Sequence, residues 1–337
     1  MTKHRVTIAD VAAKSGVSKM TVSRVINNKG EISEATRKRV QETMDQLGYR
    51  PNRIARSLAM DKTLRIGIVV PSLSNPYFGA ILEGMEAVLW ENDYHILLCN
   101  TGGNPDREQA VMNLFEDHNV DGVFVISAHS PIEKINRCLR NQHASVVMNT
   151  PVSAEIAGRI YTNEIRSLSL AVNHLLENGR IHLGYVGFNI STYARFERSR
   201  GFEVALRNAG LPLDSRTQIA NIPNTESGIS QGLQRLLQTF PRIDGLICYN
   251  DGIAARALHV CAQLGLRVPD DVAVIGFDDI FLSDLITPPL TTLDLKITKQ
   301  EVGALAAHML LERIANDEIH QDDVILDHQL IIRGSAP

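Results

Sequence analysis

A chain of 337 residues, 44% hydrophobic and 21% charged, is long enough for two or three globular domains and too apolar for a disordered protein. It has no run of 18 apolar residues, and the N-terminal MTKHRVTIADVAAKSG lacks an apolar h-region, so neither a membrane span nor a signal peptide is expected. The net charge of −4 hides an asymmetry: residues 1–60 hold 12 Lys+Arg against 5 Asp+Glu, a net +7, and the remainder holds 22 against 33, a net −11. A basic head on an acidic body places a polyanion partner at the N-terminus rather than along the whole surface.

The head begins with TIADVAAKSGVSKMTVSRVIN, residues 7–27. Thr7 and Asp10 form an acidic capping box, and Ile8, Val11 and Ala12 recur on one helical face. Gly16 stops that helix, and Ser18 caps a second one whose inner face carries Val22, Val25 and Ile26. Two short helices around a Gly-containing turn predict a helix-turn-helix. The outer face of the second helix offers Lys19, Met20, Thr21, Ser23 and Arg24. These suit a major groove, where Arg forks to guanine and Met or a Thr methyl meets a thymine methyl. The competing reading is a plain helical hairpin with a solvated basic face. A third helix is predicted from Ser33 to Leu47, with Val40, Met44 and Leu47 inward and Gly48 as its stop. After Tyr49-Arg50, Pro51 and Asn52 open a further short helix running to Ala59, too short and polar to persist alone.

The words TIADVAAKSGVSKMTVSRVIN and GYRPNRIARSLA, in this order and spacing, resemble the LacI/GalR repressors. The resemblance implies that the helix from Ser18 reads the major groove, with Thr7 and Asn27 beside it. It also implies a hinge helix in the minor groove, lined by Asn52, Ala55 and Arg56, with Leu58 wedged between base pairs at the centre of a palindrome. Such a wedge pays for unstacking with a bent, more extensively contacted duplex.

From Arg65 the texture changes to alternating strands and helices. Strands are predicted at 65–72, 95–101, 121–128 and 145–150, with helices near 77–92, 105–118 and 131–142. A second series places strands at 182–188, 218–223, 245–251 and 271–279, with helices near 165–178, 192–209, 225–239 and 251–265. A strand at 290–295, a helix near 297–315 and one final strand at 324–334 follow. Two such series predict two α/β lobes with right-handed crossovers. The expected architecture is a small all-α helix-turn-helix head (1–49), a hinge helix and linker (50–64), and an α/β core (65–337) of two doubly wound parallel-sheet lobes. The first lobe takes about 65–163 plus 296–323, the second about 164–291 plus 324–337. The words PSLSNPYF, VPDDVAVIGFDD and TPPLTTLDL are similar to those of the same family, whose core resembles periplasmic binding proteins. The resemblance covers essentially the whole chain.

Ligands of open α/β sheets bind off the carboxyl ends of strands, which here carry polar groups and a few aromatics. The resemblance implies effector contacts at Asn75, Tyr77, Phe78, Asn149, Asn163, Arg198, Asn250 and Asp278. Arg198 matches the family arginine that forks to ligand hydroxyls, and Asp278 the ligand carboxylate; the two also suit each other as an ion pair. The chain departs from the family where Asn149-Thr150 replaces Asp-Arg and Thr162-Asn163 replaces Asp-Asn. Loss of two carboxylates favours an anionic effector. The recognition word SKMTVSR also resembles that of gluconate-type repressors. Both features favour a sugar acid or sugar phosphate over a neutral sugar, with a purine as the further alternative.

Other chemistry finds little footing. Gly228-Ile-Ser-Gln-Gly232 matches a nucleophile elbow, but no strand runs into it and Ser230 belongs inside a helix capped by Thr225. GxGxxG and GxxxxGK[ST] are absent, and the 11 His show no metal spacing. Catalytic residues, metal and cofactor are therefore all expected to be none. Cys99, Cys138, Cys248 and Cys261 show no CxxC pair and read as buried, reduced thiols. Met85 and Trp90 read as core. The sequence predicts a cytoplasmic, nucleoid-associated transcriptional regulator without a membrane partner, binding double-stranded operator DNA as a homodimer and responding to a small-molecule effector. No leucine heptads follow the last strand, so a tetramer is not expected. A sugar-binding protein of the periplasmic class is the rival reading, and the basic head argues against it.

Overall fold

The computed structural model describes residues 6–26, 30, 32–50, 62–211, 219–316 and 323–337, and the chain divides into two compact units, Met1–Leu64 and Arg65–Pro337. In the first unit α1 (Ile8–Ser15), α2 (Lys19–Ile26) and α3 (Glu34–Leu47) enclose a core of Val11, Ala12, Val22, Val25, Val40 and Met44. Each helix ends where its capping chemistry dictates. The Thr7 N–H donates to Asp10 Oδ2 at 2.8 Å and the Asp10 N–H to Thr7 Oγ1 at 3.4 Å. Ser18 Oγ accepts the Thr21 N–H at 3.0 Å, opening α2. Gly16 and Gly48, at φ 67° and 62°, supply the left-handed stops of α1 and α3.

The described residues of the second unit open with β1 (Arg65–Val70), α4 (Pro76–Glu91), β2 (His95–Asn100), α5 (Pro105–Asp117), β3 (Gly122–Ile126), α6 (Ile132–Arg140), β4 (Ser145–Met148) and β5 (Gly158–Thr162). The chain then continues through α7 (Glu164–Glu177), β6 (Leu183–Phe188), α8 (Tyr193–Asn208), β7 (Ile219–Ile222), α9 (Glu226–Thr239), β8 (Gly245–Cys248), α10 (Asp251–Gln263), β9 (Ala273–Phe277) and β10 (Thr291–Leu295). It closes with α11 (Lys299–Ala315), β11 (Asp323–Leu326) and β12 (His328–Ile331). One sheet has the order β11-β5-β4-β3-β1-β2 and is parallel throughout. The other has the order β12-β10-β9-β8-β6-β7 and is parallel except where β12 runs against β10. The architecture is a short helical head and an α/β core of two parallel-dominated sheets.

The structure corrects several sequence readings. Residues 158–162 form a strand that is absent from the sequence-based expectation, GRIYT being only five residues long. The single strand expected over 324–334 is two, broken at Asp327: β11 joins the first sheet and β12 the second. Residues 291–295 likewise belong wholly to the second sheet. Met85 is buried, but Trp90 is 65% exposed. Five positions apart, the two side chains point about 140° from one another around a helix. Cys99 is only half-buried because β2 is the sheet edge, whereas Cys138, Cys248 and Cys261 are buried.

Three crossings join the lobes, at Asn163, at residues 296–298 and at Asp327. They are tied to one another. The Asn163 N–H donates to the Leu326 carbonyl at 2.9 Å and the Lys296 N–H to the Asp327 carbonyl at 3.0 Å. The Asp327 carboxylate takes Arg166 Nη1 at 3.0 Å and Asn163 Nδ2 at 3.4 Å, with Lys296 Nζ at 3.9 Å. After the second crossing, α11 returns to the first lobe and lies directly on α4. A Cβ at Gly303 would fall 1.9 Å from the Ile81 carbonyl oxygen, and one at Gly84 would fall 1.9 Å from that of Gln300. Backbone meets backbone there, so nothing flexible can yield. Gly303→Ala is expected to destabilise the protein by about 1–3 kcal/mol through overpacking, measured as a fall in the urea midpoint at unchanged slope.

Candidate ligand cleft and nucleic-acid interface

A cleft of about 770 Å³ opens between the two lobes. It is lined from the carboxyl ends of strands, as an open α/β sheet requires. The first lobe contributes Ser72, Ser74, Asn75 and Phe78 after β1, Gly102 and Gly103 after β2, and Ser127 and His129 after β3. The second contributes Phe188 and Thr192 after β6, Asn224 after β7, Tyr249, Asn250 and Arg256 after β8, and Asp278, Ile280 and Phe281 after β9.

Of the eight residues expected to hold an effector, Asn75, Phe78, Asn250 and Asp278 line this cleft. Asn75 and Asn250 cap the helices that follow them, accepting the Tyr77 N–H and the Ile253 N–H at 3.0 Å each. Each amide oxygen is thereby occupied and each NH2 remains as a donor. The other four are not among the lining residues. Tyr77 is buried with its ring edge against Phe78. Burial, and then the charge of Asp278, raise its phenol pKa far above the usual value. Asn149 is buried and accepts the Thr162 N–H at 3.0 Å. Asn163 sits at the first crossing, where its side chain caps α7 and reaches Asp327.

Arg198 lies one layer behind the cleft wall. Its Nε donates to Glu164 Oε2 at 3.1 Å and its Nη1 to the Tyr249 carbonyl; its Nη2 lies 3.5 Å from Asp278 Oδ1. The guanidinium is sandwiched by rings, its carbon 3.5 Å from the Phe277 centroid and 4.6 Å from that of Tyr249. Burial pulls its pKa down, but Glu164 and Asp278 outweigh that and push it above the ordinary value. Burial pushes the Asp278 carboxyl up to about 7 against the opposing pull of Arg198. The ion pair that was weighed from sequence therefore exists, and Asp278 alone of the two reaches the cleft.

Several residues here were not among the eight expected effector contacts. Glu164 is the nearer partner of Arg198 and is buried. Buried Glu108 holds the 127–130 loop by accepting the His129 and Ser130 N–H groups at 3.0 and 2.9 Å. His129 Nδ1 is 3.0 Å from the Ser127 carbonyl, which can only accept, so the ring proton is assigned to Nδ1 and Nε2 is an acceptor. Burial lowers the His129 pKa and favours that neutral form. Asp251 accepts Thr292 Oγ1, Ser283 Oγ and the Ile280 N–H at 2.6, 2.8 and 2.9 Å, fixing the loop after Asp278. Only the polar, helix-capping character of these strand ends was legible beforehand.

In the head, α2 presents Lys19, Met20 and Arg24 exposed, with Thr21 and Ser23 half-buried beside them. Met20 is 65% exposed, a large apolar side chain outside any core. Thr7 and Ser18 are exposed at the N-termini of α1 and α2. Asn27, Asn52, Ala55, Arg56 and Leu58 lie outside the described residues. Ser230 lies inside α9 and donates to the Glu226 carbonyl at 3.3 Å, so the GxSxG match is no elbow.

A family model described as "Bacterial regulatory proteins, lacI family" matches residues 7–52, and one described as "Periplasmic binding protein-like domain" matches residues 172–336. The chain is 33% identical over 327 residues to the HTH-type transcriptional repressor PurR of Aliivibrio salmonicida (strain LFI1238), covering 97% of each. The chain belongs to the LacI family. Among solved LacI-family relatives, a structure titled "transcriptional regulator CelR-cellobiose complex" is 27% identical, with a TM-score of 0.72 over 98% of this chain and 100% of that one. A LacI family transcriptional regulator from Enterococcus faecium with bound ribose is 25% identical, with a TM-score of 0.71 over 81% of this chain and 98% of that one. As a LacI-family member, this protein is a DNA-binding transcriptional repressor with a ligand-binding core, and not an enzyme. No helix among the described residues is long and apolar enough to cross a membrane.

The raised Asp278 pKa has a signed consequence. The folded protein holds a proton there that the unfolded chain has released, from the ordinary carboxylate range up to about pH 7. The stability this group confers is present at low pH and is lost as pH rises through that window, by about 1.4 kcal/mol per unit. Asp278→Asn removes the dependence, so its melting temperature relative to the parent is expected to rise between pH 5 and pH 8 in paired thermal scans.

Proposed function

We propose that this repressor binds a palindromic operator as a homodimer and responds to an uncharged, hydroxyl-rich effector in the cleft. The observation carrying the effector class is Asp278, a buried carboxylate on the cleft wall whose nearest charged partner stands behind it. Its free acceptor capacity faces the cavity, and His129 Nε2 is an acceptor on the opposite lobe. Such a pair suits ligand hydroxyls, and above about pH 7, where Asp278 is ionised, it repels an anion. Of the two features that favour an anionic effector, the neutral residues at Asn149 and Thr162 do not line the cleft, and the resemblance of SKMTVSR lies in the head. Arg256 does line it, but its Nη2 is 2.9 Å from Glu226 Oε1. The cellobiose and ribose held by the two solved relatives are of the proposed class. In this reading the chain divides into a DNA-reading head to residue 49, a hinge over 50–64 and the sensing core, and it acts in the cytoplasm.

On DNA, the major groove is read by Lys19, Met20, Thr21, Ser23 and Arg24. Thr7, Ser18 and Asn27 support them. Asn52, Ala55, Arg56 and Leu58 carry the minor-groove contact. Selection from a fully randomised duplex library is expected to yield a two-fold symmetric site. On that site, binding should fall with salt at a log–log slope of roughly −6 to −10 for two heads, and a slope shallower than about −2 defeats the reading. Met20→Ala should shift the selected half-site at one position by about 1–3 kcal/mol without abolishing binding. Calorimetry of the full chain against cellobiose, ribose, gluconate, 6-phosphogluconate and hypoxanthine tests the effector class. Heat from either acid with none from the neutral sugars overturns it. Light scattering at micromolar concentration should report a dimer.

A further inference from the structure

We propose that Glu164 is the positioning residue that ties the cleft's Asp278 to the end of the first sheet. Its two carboxylate oxygens serve different lobes: Oε2 accepts Arg198 Nε at 3.1 Å, and Oε1 accepts Thr162 Oγ1 at 2.6 Å. Arg198 belongs to α8 of the second lobe, and Thr162 is the last residue of β5 in the first sheet. The Glu164 side chain is 1% exposed, so neither oxygen has water as an alternative partner. The inference rests on the reading of the cleft as the effector site.

The geometry gives the chain of contacts two arrangements. One guanidinium faces two carboxylates, with Glu164 at 3.1 Å and Asp278 at 3.5 Å. A donor arriving at Asp278 from the cleft competes with Arg198 for that carboxylate, and the guanidinium then turns further to Glu164. The Thr162 hydroxyl has one proton and two acceptors, Glu164 Oε1 at 2.6 Å and Asn149 Oδ1 at 3.1 Å. A change in the charge Glu164 offers decides which acceptor takes the proton. Asn149 closes β4 and also accepts the Thr162 N–H, so the choice is felt by two adjacent strand ends of the first sheet. Coupling between sites needs a contiguous element with discrete states that both ends bias, and this hydroxyl is one.

The test needs no effector and no DNA. Native-state hydrogen exchange is measured on four full-length proteins: parent, Asp278→Asn, Glu164→Gln and the double variant. Asp278→Asn stands in for neutralisation of that carboxylate from the cleft. In the parent background it is expected to change amide protection over residues 158–163 by about fivefold or more. In the Glu164→Gln background the same substitution should change it by less than about twofold. Thr162→Val cuts the link on its first-lobe side, leaves Arg198–Glu164 in place and should abolish the response equally, so it decides the matter if Glu164→Gln does not fold. Glu164→Asp, which keeps the charge, should restore part of the response. The proposal is overturned by an equal response in all backgrounds, by no response in the parent, or by a uniform loss of protection across both lobes. A wrong effector or operator assignment leaves each of these outcomes unchanged.

Discussion

A guanidinium removed from water has to be met by carboxylates, and the second lobe is arranged around meeting Arg198. Desolvation costs several kcal/mol per ion, and removing one partner of a buried pair typically costs about 3–5 kcal/mol. Glu164 at the start of α7, Asp278 at the end of β9 and the Tyr249 carbonyl at the end of β8 all converge on it. Phe277 and Tyr249 close its faces, so water cannot substitute for a missing partner. This cation fixes the carboxyl ends of β8 and β9 relative to α7 and α8. The cleft wall inherits that order: Asp278 is held in place from behind and offers its acceptors forward. Under the proposed reading, an effector in the cleft would meet a preorganised acceptor and need not order it.

The three crossings between the lobes obey the opposite economy. Asp327 gathers Asn163, Arg166 and Lys296, but Arg166 and Lys296 are both more than half exposed. Pairs so exposed contribute about 1 kcal/mol or less. The backbone bonds between crossings, Asn163 to Leu326 and Lys296 to Asp327, tie the crossings to one another. The contacts between lobes are thus of two kinds, the exposed pairs at Asp327 and the buried bond from Thr162 Oγ1 to Glu164 Oε1.

Much of this fold was legible in the sequence because its signals are local. The capping box at Thr7, the glycine stops at Gly16 and Gly48 and the apolar period of α1 to α3 each act within a few residues. The buried strands announced themselves as continuous Val/Ile runs. What escaped was non-local or short. GRIYT became a strand because its neighbours in space, β4 and β11, are 10 or more residues away along the chain. Asp327 broke the last strand because its carboxylate is claimed by the other two crossings. Of the cleft, the sequence yielded the strand ends and the family's polar positions. It did not yield depth: Asn149 and Arg198 sit one layer behind the wall, and only packing decides which polar residue of a strand end faces the cavity. The same limit applies to the neutral replacements at 149 and 162, neither of which lies among the lining residues.

Backbone conformation shows where the molecule tolerates strain. Ser127, Asn149, Asp278 and Asp279 have φ of 51°, 48°, 99° and 42°, and each follows a strand at the cleft end of its sheet. A non-glycine residue in this region costs on the order of 1–3 kcal/mol. Glycine would relieve the strain, yet glycine has no side chain to aim. At Asp278 the left-handed turn sends the carboxylate towards Arg198 and the cleft, while Asp279 beside it accepts Arg333 Nη1 at 2.7 Å. At Asn149 the turn brings the amide onto Thr162. At Ser127 it frees the carbonyl that fixes the His129 tautomer. At these four positions polar groups point across the direction of the strands and buried ion pairs and hydrogen bonds hold the strain, whereas Leu64, Asp93 and Asn119 have positive φ away from the cleft.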